Sequence, residues 1–250
     1  MNKCYYEETP FVSIKEQIEK REIINNKKDE SQDSKLLDLE KRIIELENIV
    51  FTNQTQDLLS KIDNMSSGDE LSVSFPTDVI LENKSLLIKN DSIVSLSLND
   101  KEFKAITPNF DVILIESGAT LTINGNGLIE SANGGNGYPL IADGKVIING
   151  GTFKSGYDEN NKANACIYTR GNGIIEIYGG RFETYDGTFV LNKKDSDRET
   201  CSIKVMGGEF VNFDPSNNAS EGANTNFVVE GYSVESYKED GNMIYKVVKQ

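Results

Sequence analysis

Three stretches decide the reading of this chain: Ile148-Asn149-Gly150-Gly151-Thr152-Phe153, Ile177-Tyr178-Gly179-Gly180-Arg181-Phe182 and Val205-Met206-Gly207-Gly208-Glu209-Phe210. Their glycine pairs stand 29 and then 28 residues apart. A weaker copy, Ile123-Asn124-Gly125-Asn126-Gly127-Leu128, precedes them by about 25 residues. Repetition at such a period marks a unit that stacks on copies of itself. Aligning on the glycines brings other apolar runs into columns. One column holds Leu128, Phe153, Phe182 and Phe210. A second holds Val112 to Ile115, Leu140-Ile141, Cys166-Ile167, Phe189 to Leu191 and Phe227 to Val229. A third holds Leu121 and Ile123, Val146 and Ile148, Ile175 and Ile177, and Ile203 and Val205.

Each repeat thus supplies three short strands joined by turns rich in Gly, Asn, Asp and Ser. Three strands per 25 to 30 residues is the arithmetic of a parallel β-helix, in which successive coils stack as three parallel sheets. Ile175 and Ile177 point inward on this reading and Glu176 outward. The glycine pairs fit corners that need positive φ. Upstream, Val79-Ile80-Leu81, Leu86-Leu87-Ile88 and Ile93 to Leu98 form the first coils. Downstream, Tyr232 to Tyr237 and Met243 to Val248 read as a closing hairpin within a cap over 231–250. An open solenoid end exposes backbone donors and acceptors, so a cap is expected there.

All 21 glycines lie at or after Gly68. Residues 1–67 are charge-rich and hold one proline, Pro10, a composition that favours helix. Residues 1–12 lack a helical period, and Tyr5, Tyr6 and Phe11 read either as part of a free tail or as anchors of a peptide that orders on a partner. Ser13 and Glu16 form a capping-box pattern, so 13–30 reads as a short helix and polar linker. Within 31–67, Leu36, Ile43 and Val50 recur every seven residues, with Leu39 and Leu46 between them. After a break near Asn53 the pattern resumes as Thr55, Leu58, Ile62 and Met65. This narrow seam predicts a coiled-coil stalk, against the alternative of a helix folded back on the β domain. Residues 68–250 are the β-helix domain. The expected fold is mostly β: an N-terminal helix and short coiled coil, then a three-sided right-handed parallel β-helix.

Composition narrows function. The formal net charge is −14 and basic residues are not clustered, which argues against binding nucleic acid or anionic lipid. The chain has no histidine, which removes His-based nucleophilic sites and His-ligated zinc. Cys4, Cys166 and Cys201 show no metal or redox spacing, and Cys166 and Cys201 fall on different faces of the coil, so no disulfide between them is expected. No metal, cofactor, signal peptide or membrane insertion is expected. Carboxylates that a polysaccharide-cleaving β-helix would need are available at Asp143, Asp158, Asp186, Asp195 and Asp197, but they read as solvated turn residues. The expectation is that the chain is not an enzyme.

A short N-terminal peptide, a brief coiled coil and a β-helix built on Gly-Gly-x-Phe coils resemble, in that order, bacteriophage head fibre and capsid decoration proteins of the crAss-like type. The resemblance implies a homotrimer held together by Leu36, Leu39, Ile43, Leu46, Val50, Leu58, Ile62 and Met65. It implies that Tyr5, Tyr6 and Phe11 anchor residues 1–12 to the major capsid protein or another capsid protein, on the outer surface of the virion. The β-helix would face outward, toward a host-surface glycan. The heptads alone leave dimer and trimer open, since Ile at a and Leu at d favour two strands. The rival reading is a tail-spike or tail-fibre β-helix with polysaccharide-binding or depolymerase activity.

Overall fold

The computed structural model describes residues 30–157, 165–185, 189–218, 221–222 and 225–250, and side chains from Asp33 onward. The anchor peptide 1–12 and the segment 13–29, with Tyr5, Tyr6 and Phe11, lie outside the described residues. One helix, α1 (Glu30–Asp63), leads into a parallel β-solenoid. The first turn is β1 (Glu70–Ser74), β2 (Val79–Leu81) and β3 (Leu86–Ile88). The second is β4 (Ile93–Ser97), β5 (Lys101–Ala105) and β6 (Ile113–Ile115). The third is β7 (Thr120–Asn124), β8 (Gly127–Glu130) and β9 (Leu140–Ala142). The fourth is β10 (Lys145–Ile148), β11 (Thr152–Lys154) and β12 (Ile167–Thr169), and the fifth is β13 (Ile174–Ile177), β14 (Arg181–Glu183) and β15 (Leu191–Lys193). A partial sixth turn, β16 (Ser202–Val205) and β17 (Glu209–Val211), is followed by the hairpin β18 (Tyr232–Glu239) and β19 (Asn242–Lys249).

The strands stack as three sheets. Sheet 1 runs β1-β4-β7-β10-β13-β16, sheet 2 runs β2-β5-β8-β11-β14-β17 and continues into β19 and β18, and sheet 3 runs β3-β6-β9-β12-β15. Pairing is parallel until β19 joins β17 antiparallel. The sheet 1 column is the one expected from the repeat: Leu121 pairs with Val146, Val146 with Ile175 and Ile175 with Ile203. All of them are buried. In sheet 2, Phe153, Phe182 and Phe210 stack with ring centroids 5.1 and 5.0 Å apart and nearly parallel planes. Period-2 alternation on three sheets therefore fills one continuous core.

Two registers differ from the repeat alignment. Ile129, not Leu128, pairs with Phe153 and is buried, because the corner Gly125-Asn126-Gly127 is one residue longer than the Gly150-Gly151 corner. A one-residue shift exchanges the faces of a strand, so Leu128 turns outward. Phe227 to Val229 does not extend sheet 3. Val228 bridges Val205, with Val205 N–H donating to Phe227 O at 2.9 Å, so this segment continues sheet 1. β5 was missed altogether, since Lys101, Glu102 and Lys104 hide the inward pair Phe103 and Ala105. The hairpin turns through Asp240 and Gly241, both at positive φ (48° and 83°), the geometry that lets two residues reverse twisted strands.

The two ends are closed differently. The last turns of α1 and the residues just after it lie on the open first turn: Leu59, Ile62 and Met65 are buried in one cluster with Val73, Phe75 and Leu86, Leu58 packs against it, and Thr55 is buried too. Thr55 and Thr77 hydroxyls meet at 2.7 Å, and Lys89 Nζ donates to the Asp63 carbonyl. Ile62 (1% exposed) and Met65 (9%) are thus core residues of their own chain, where the heptad reading made them part of an oligomer seam. The spacing that suits a helical partner suits a sheet end equally well. At the far end, sheet 3 has no sixth strand among the described residues, and the buried Glu221 carboxylate accepts the Lys193 N–H at 2.5 Å.

Candidate functional site

The upper half of α1 behaves differently from the lower. Leu39, Leu46 and Val50 are 53%, 61% and 40% exposed, and Leu36 and Ile43 are half-buried. A second exposed pair, Leu37 and Ile44, runs beside that seam one heptad apart, with Ile49 flanking it. The sequence reading overlooked this second line because it searched for a single a/d seam. The apolar arc of the helix is therefore wider than a two-stranded seam requires.

Among the acids named from sequence, Asp158 and Asp186 lie outside the described residues. Asp143 is bound by Arg170 through Nε at 2.7 Å and Nη2 at 3.0 Å. Asp195 is exposed and pairs with Arg198 at 2.9 Å. Asp197 accepts the Gly171 N–H and the Ser196 hydroxyl, each at 2.7 Å, which holds its carboxyl below the usual range. Asp197 is thus arranged as a stabilised anion, the wrong state for a general acid. Among the described residues no group of three or more Cys, Asp or Glu is placed to hold a metal ion. Cys166 and Cys201 are free and buried, and burial pushes both thiols up.

A groove of about 480 Å³ runs along the sheet 1 to sheet 2 corner, floored by Gly150, Gly151, Gly179, Gly180 and Gly208. The charged groups at its edge neutralise one another: Arg181 meets Glu209 at 3.5 Å and Glu239 at 2.6 Å, and Lys246 meets Glu209 at 3.1 Å.

The three outer faces are not alike. Along sheet 1 the middle outward column reads Ser72, Ser95, Thr122, Ile147, Glu176, Lys204. Sheet 2 presents Ile80, Lys104, Glu130, Lys154 and Glu183, with Lys104–Glu130 and Lys154–Glu183 ion pairs. Sheet 3 instead reads Leu87, Leu114, Ile141, Tyr168, Asn192. Tyr138 stacks on Tyr168 with centroids 5.2 Å apart, and Ile141 is only 4% exposed although it points away from the core. The next outward position carries Lys89, Glu116, Asp143, Arg170 and Lys194.

Asp111, which the sequence reading passed over, belongs to this face. It accepts the Tyr138 N–H at 2.9 Å. Burial raises its carboxyl above the usual range, with the Tyr138 bond and Arg170 opposing. A carboxyl raised on folding binds its proton more tightly in the native state, so its contribution to stability falls as pH rises from the ordinary carboxylate value through the raised one. Asp111→Asn keeps the acceptor for Tyr138 and removes the buried charge. The expected result is stability at pH 7 equal to or above the parent, with a smaller fall between pH 4 and pH 7, read from urea midpoints. A clear loss at pH 7 would mean that the charge itself is needed.

No helix among the described residues is long and apolar enough to cross a membrane. Compared with models of known families, with curated proteins and with solved structures, the chain shows no match to any of them.

Proposed function

We propose that this chain is a structural virion protein, a trimeric head fibre or capsid decoration protein that projects a right-handed β-helix outward from the capsid. The observation that carries the reading is the apolar line of exposed Leu39, Leu46 and Val50 with half-buried Leu36 and Ile43, on a helix whose other end is packed into its own solenoid. A helix anchored in this way presents its apolar arc at a fixed place, suited to another copy of itself. The added width from Leu37, Ile44 and Ile49 favours three strands over two, because a helix in a trimer touches two neighbours. Joining three chains also joins three N-terminal peptides, so weak anchoring through Tyr5, Tyr6 and Phe11 becomes strong by effective concentration. The net charge of −14 per chain keeps assembled particles apart in solution. Adhesion to a host-surface glycan is the task this architecture would serve.

Light scattering behind size exclusion tests the assembly. The full chain is expected at the mass of three copies, and Leu39→Asp with Leu46→Asp at the mass of one, with unchanged far-UV circular dichroism. A monomeric parent chain would sink the reading. Deleting residues 1–12 is expected to abolish incorporation into capsids while leaving the trimer intact.

A further inference from the structure

We infer that copies of this chain join through α1 in parallel and in register, and that Lys35, Glu40, Arg42 and Glu47 set that orientation. The inference rests on the reading that the chains assemble, and it names how the helix of one copy meets the next.

The positions that flank a helical seam decide which way a partner helix runs. With Leu36, Ile43 and Val50 at a and Leu39 and Leu46 at d, the g positions are Lys35, Arg42 and Ile49, and the e positions are Glu40, Glu47 and Gln54. The charges are sorted by edge: the bases lie on the g side and the acids on the e side. Lys35 and Arg42 are exposed, and Glu40 and Glu47 are half-buried. Among the described residues none of the four side chains has an ion-pair partner. Lys35 and Glu40 are five residues apart, as are Arg42 and Glu47. Side chains on one helix meet at spacings of three and four, so neither pair closes within its own chain.

A second copy closes both pairs. In a parallel, in-register bundle each g side chain faces the e position five residues later on the neighbouring helix, so Lys35 meets Glu40 and Arg42 meets Glu47 across the interface. An antiparallel partner would set Lys35 and Arg42 against basic residues and Glu40 and Glu47 against acidic ones, which repels along both edges. A slip of one heptad would leave one of the two pairs unmade. A helix from another protein would need the same sorted edges at the same heights, which a second copy carries by identity. Parallel alignment sets every N-terminal segment at one end of the stalk and every solenoid at the other, as a fibre anchored at one end requires.

The test uses the full chain with Cys4→Ser, since Cys166 and Cys201 are buried. Leu36→Cys and Val50→Cys are made separately, at positions about 21 Å apart along the helix. Each variant, and a mixture of the two refolded together with one of them size-tagged, is mildly oxidised and read on a denaturing gel, with native mass measured alongside. The expected result is disulfide-linked pairs in each variant alone and no link between Leu36→Cys and Val50→Cys in the mixture. Links that form only in the mixture would mean an antiparallel bundle, which overturns the inference and leaves the assembly reading standing. A second arm reads the charges. Glu40→Lys with Glu47→Lys makes both edges basic and is expected to lower the native mass to one chain at low salt, with unchanged far-UV circular dichroism. Adding Lys35→Glu and Arg42→Glu restores opposite edges in reverse and is expected to bring the parent mass back. Parent mass kept by the first variant, or not recovered by the second, would overturn the role given to these four residues. A parent chain of monomer mass with no links would overturn both readings.

Discussion

Phe182→Ala is expected to lower stability by about 3–5 kcal/mol, the range for removing a fully buried aromatic ring. Phe182 lies in the middle of the Phe153–Phe182–Phe210 stack and has a ring partner on each side. Its loss opens a cavity between turns that neighbouring strands cannot close, because β11 and β17 are fixed by their own backbone ladders. A stacked solenoid holds each turn mainly through its neighbours, so damage at the fourth or fifth turn should also weaken the coupling between the two ends. The urea transition is therefore expected to shift to lower midpoint and to broaden. Phe182→Leu, which retains more of the volume, should cost less than half as much. A shift under about 1 kcal/mol for the alanine variant would contradict a core filled in this way.

The second large effect is expected at the glycine corners. Gly180 has φ +104°, and a Cβ built there would lie 2.9 Å from the Gly151 carbonyl oxygen. Gly180→Ala combines backbone strain of roughly 1–2 kcal/mol with an overpacking cost of roughly 1–3 kcal/mol. Its neighbour Gly179 has ordinary φ but a Cβ would lie 2.6 Å from the Asn149 carbonyl oxygen, so only the second cost applies. Gly134 has φ +79° and open space around it, so only the first applies. The expected order of destabilisation in urea is Gly180→Ala, then Gly179→Ala, then Gly134→Ala. Equal losses at Gly180 and Gly134 would mean that turn-to-turn contact at the corner is looser than it appears.

These glycines explain why the solenoid was legible from the chain alone. Close approach of backbone to backbone, combined with positive φ, leaves glycine as the residue that fits at the sheet 1 to sheet 2 corner from the third turn onward, whereas Asn99 and Asp100 take the positive-φ corner of the second turn. The Phe column was legible because identical inward positions in stacked strands select identical side chains. What the repeat left hidden has physical reasons too. Leu128 was given the inward place of Ile129 because the Gly125-Asn126-Gly127 corner holds an extra residue, which spacing by glycine cannot detect. Ile62 and Met65 carry the same period whether they face another helix or the end of a sheet, so their burial in their own solenoid had no separate signature. The outward apolar column of sheet 3 requires the register of four turns before it becomes a line. Asp111 gains its hydrogen-bond donor from Tyr138, 27 residues later, and a lone acid in a polar loop gives no hint of that.

The parallel, in-register stacking has a consequence for length. Because β4 through β15 repeat one pattern between two dissimilar ends, a whole turn of 25 to 29 residues can be inserted or removed there without creating any new kind of contact. Each such event changes the reach of the molecule by one strand spacing, about 4.8 Å. The helix lid and the closing hairpin travel with the ends and need no redesign. The chain is in this sense graduated: its span is available to selection in equal steps, as a whole number of turns, and a protein that must hold a surface at a set height gains a ruler along with its fold.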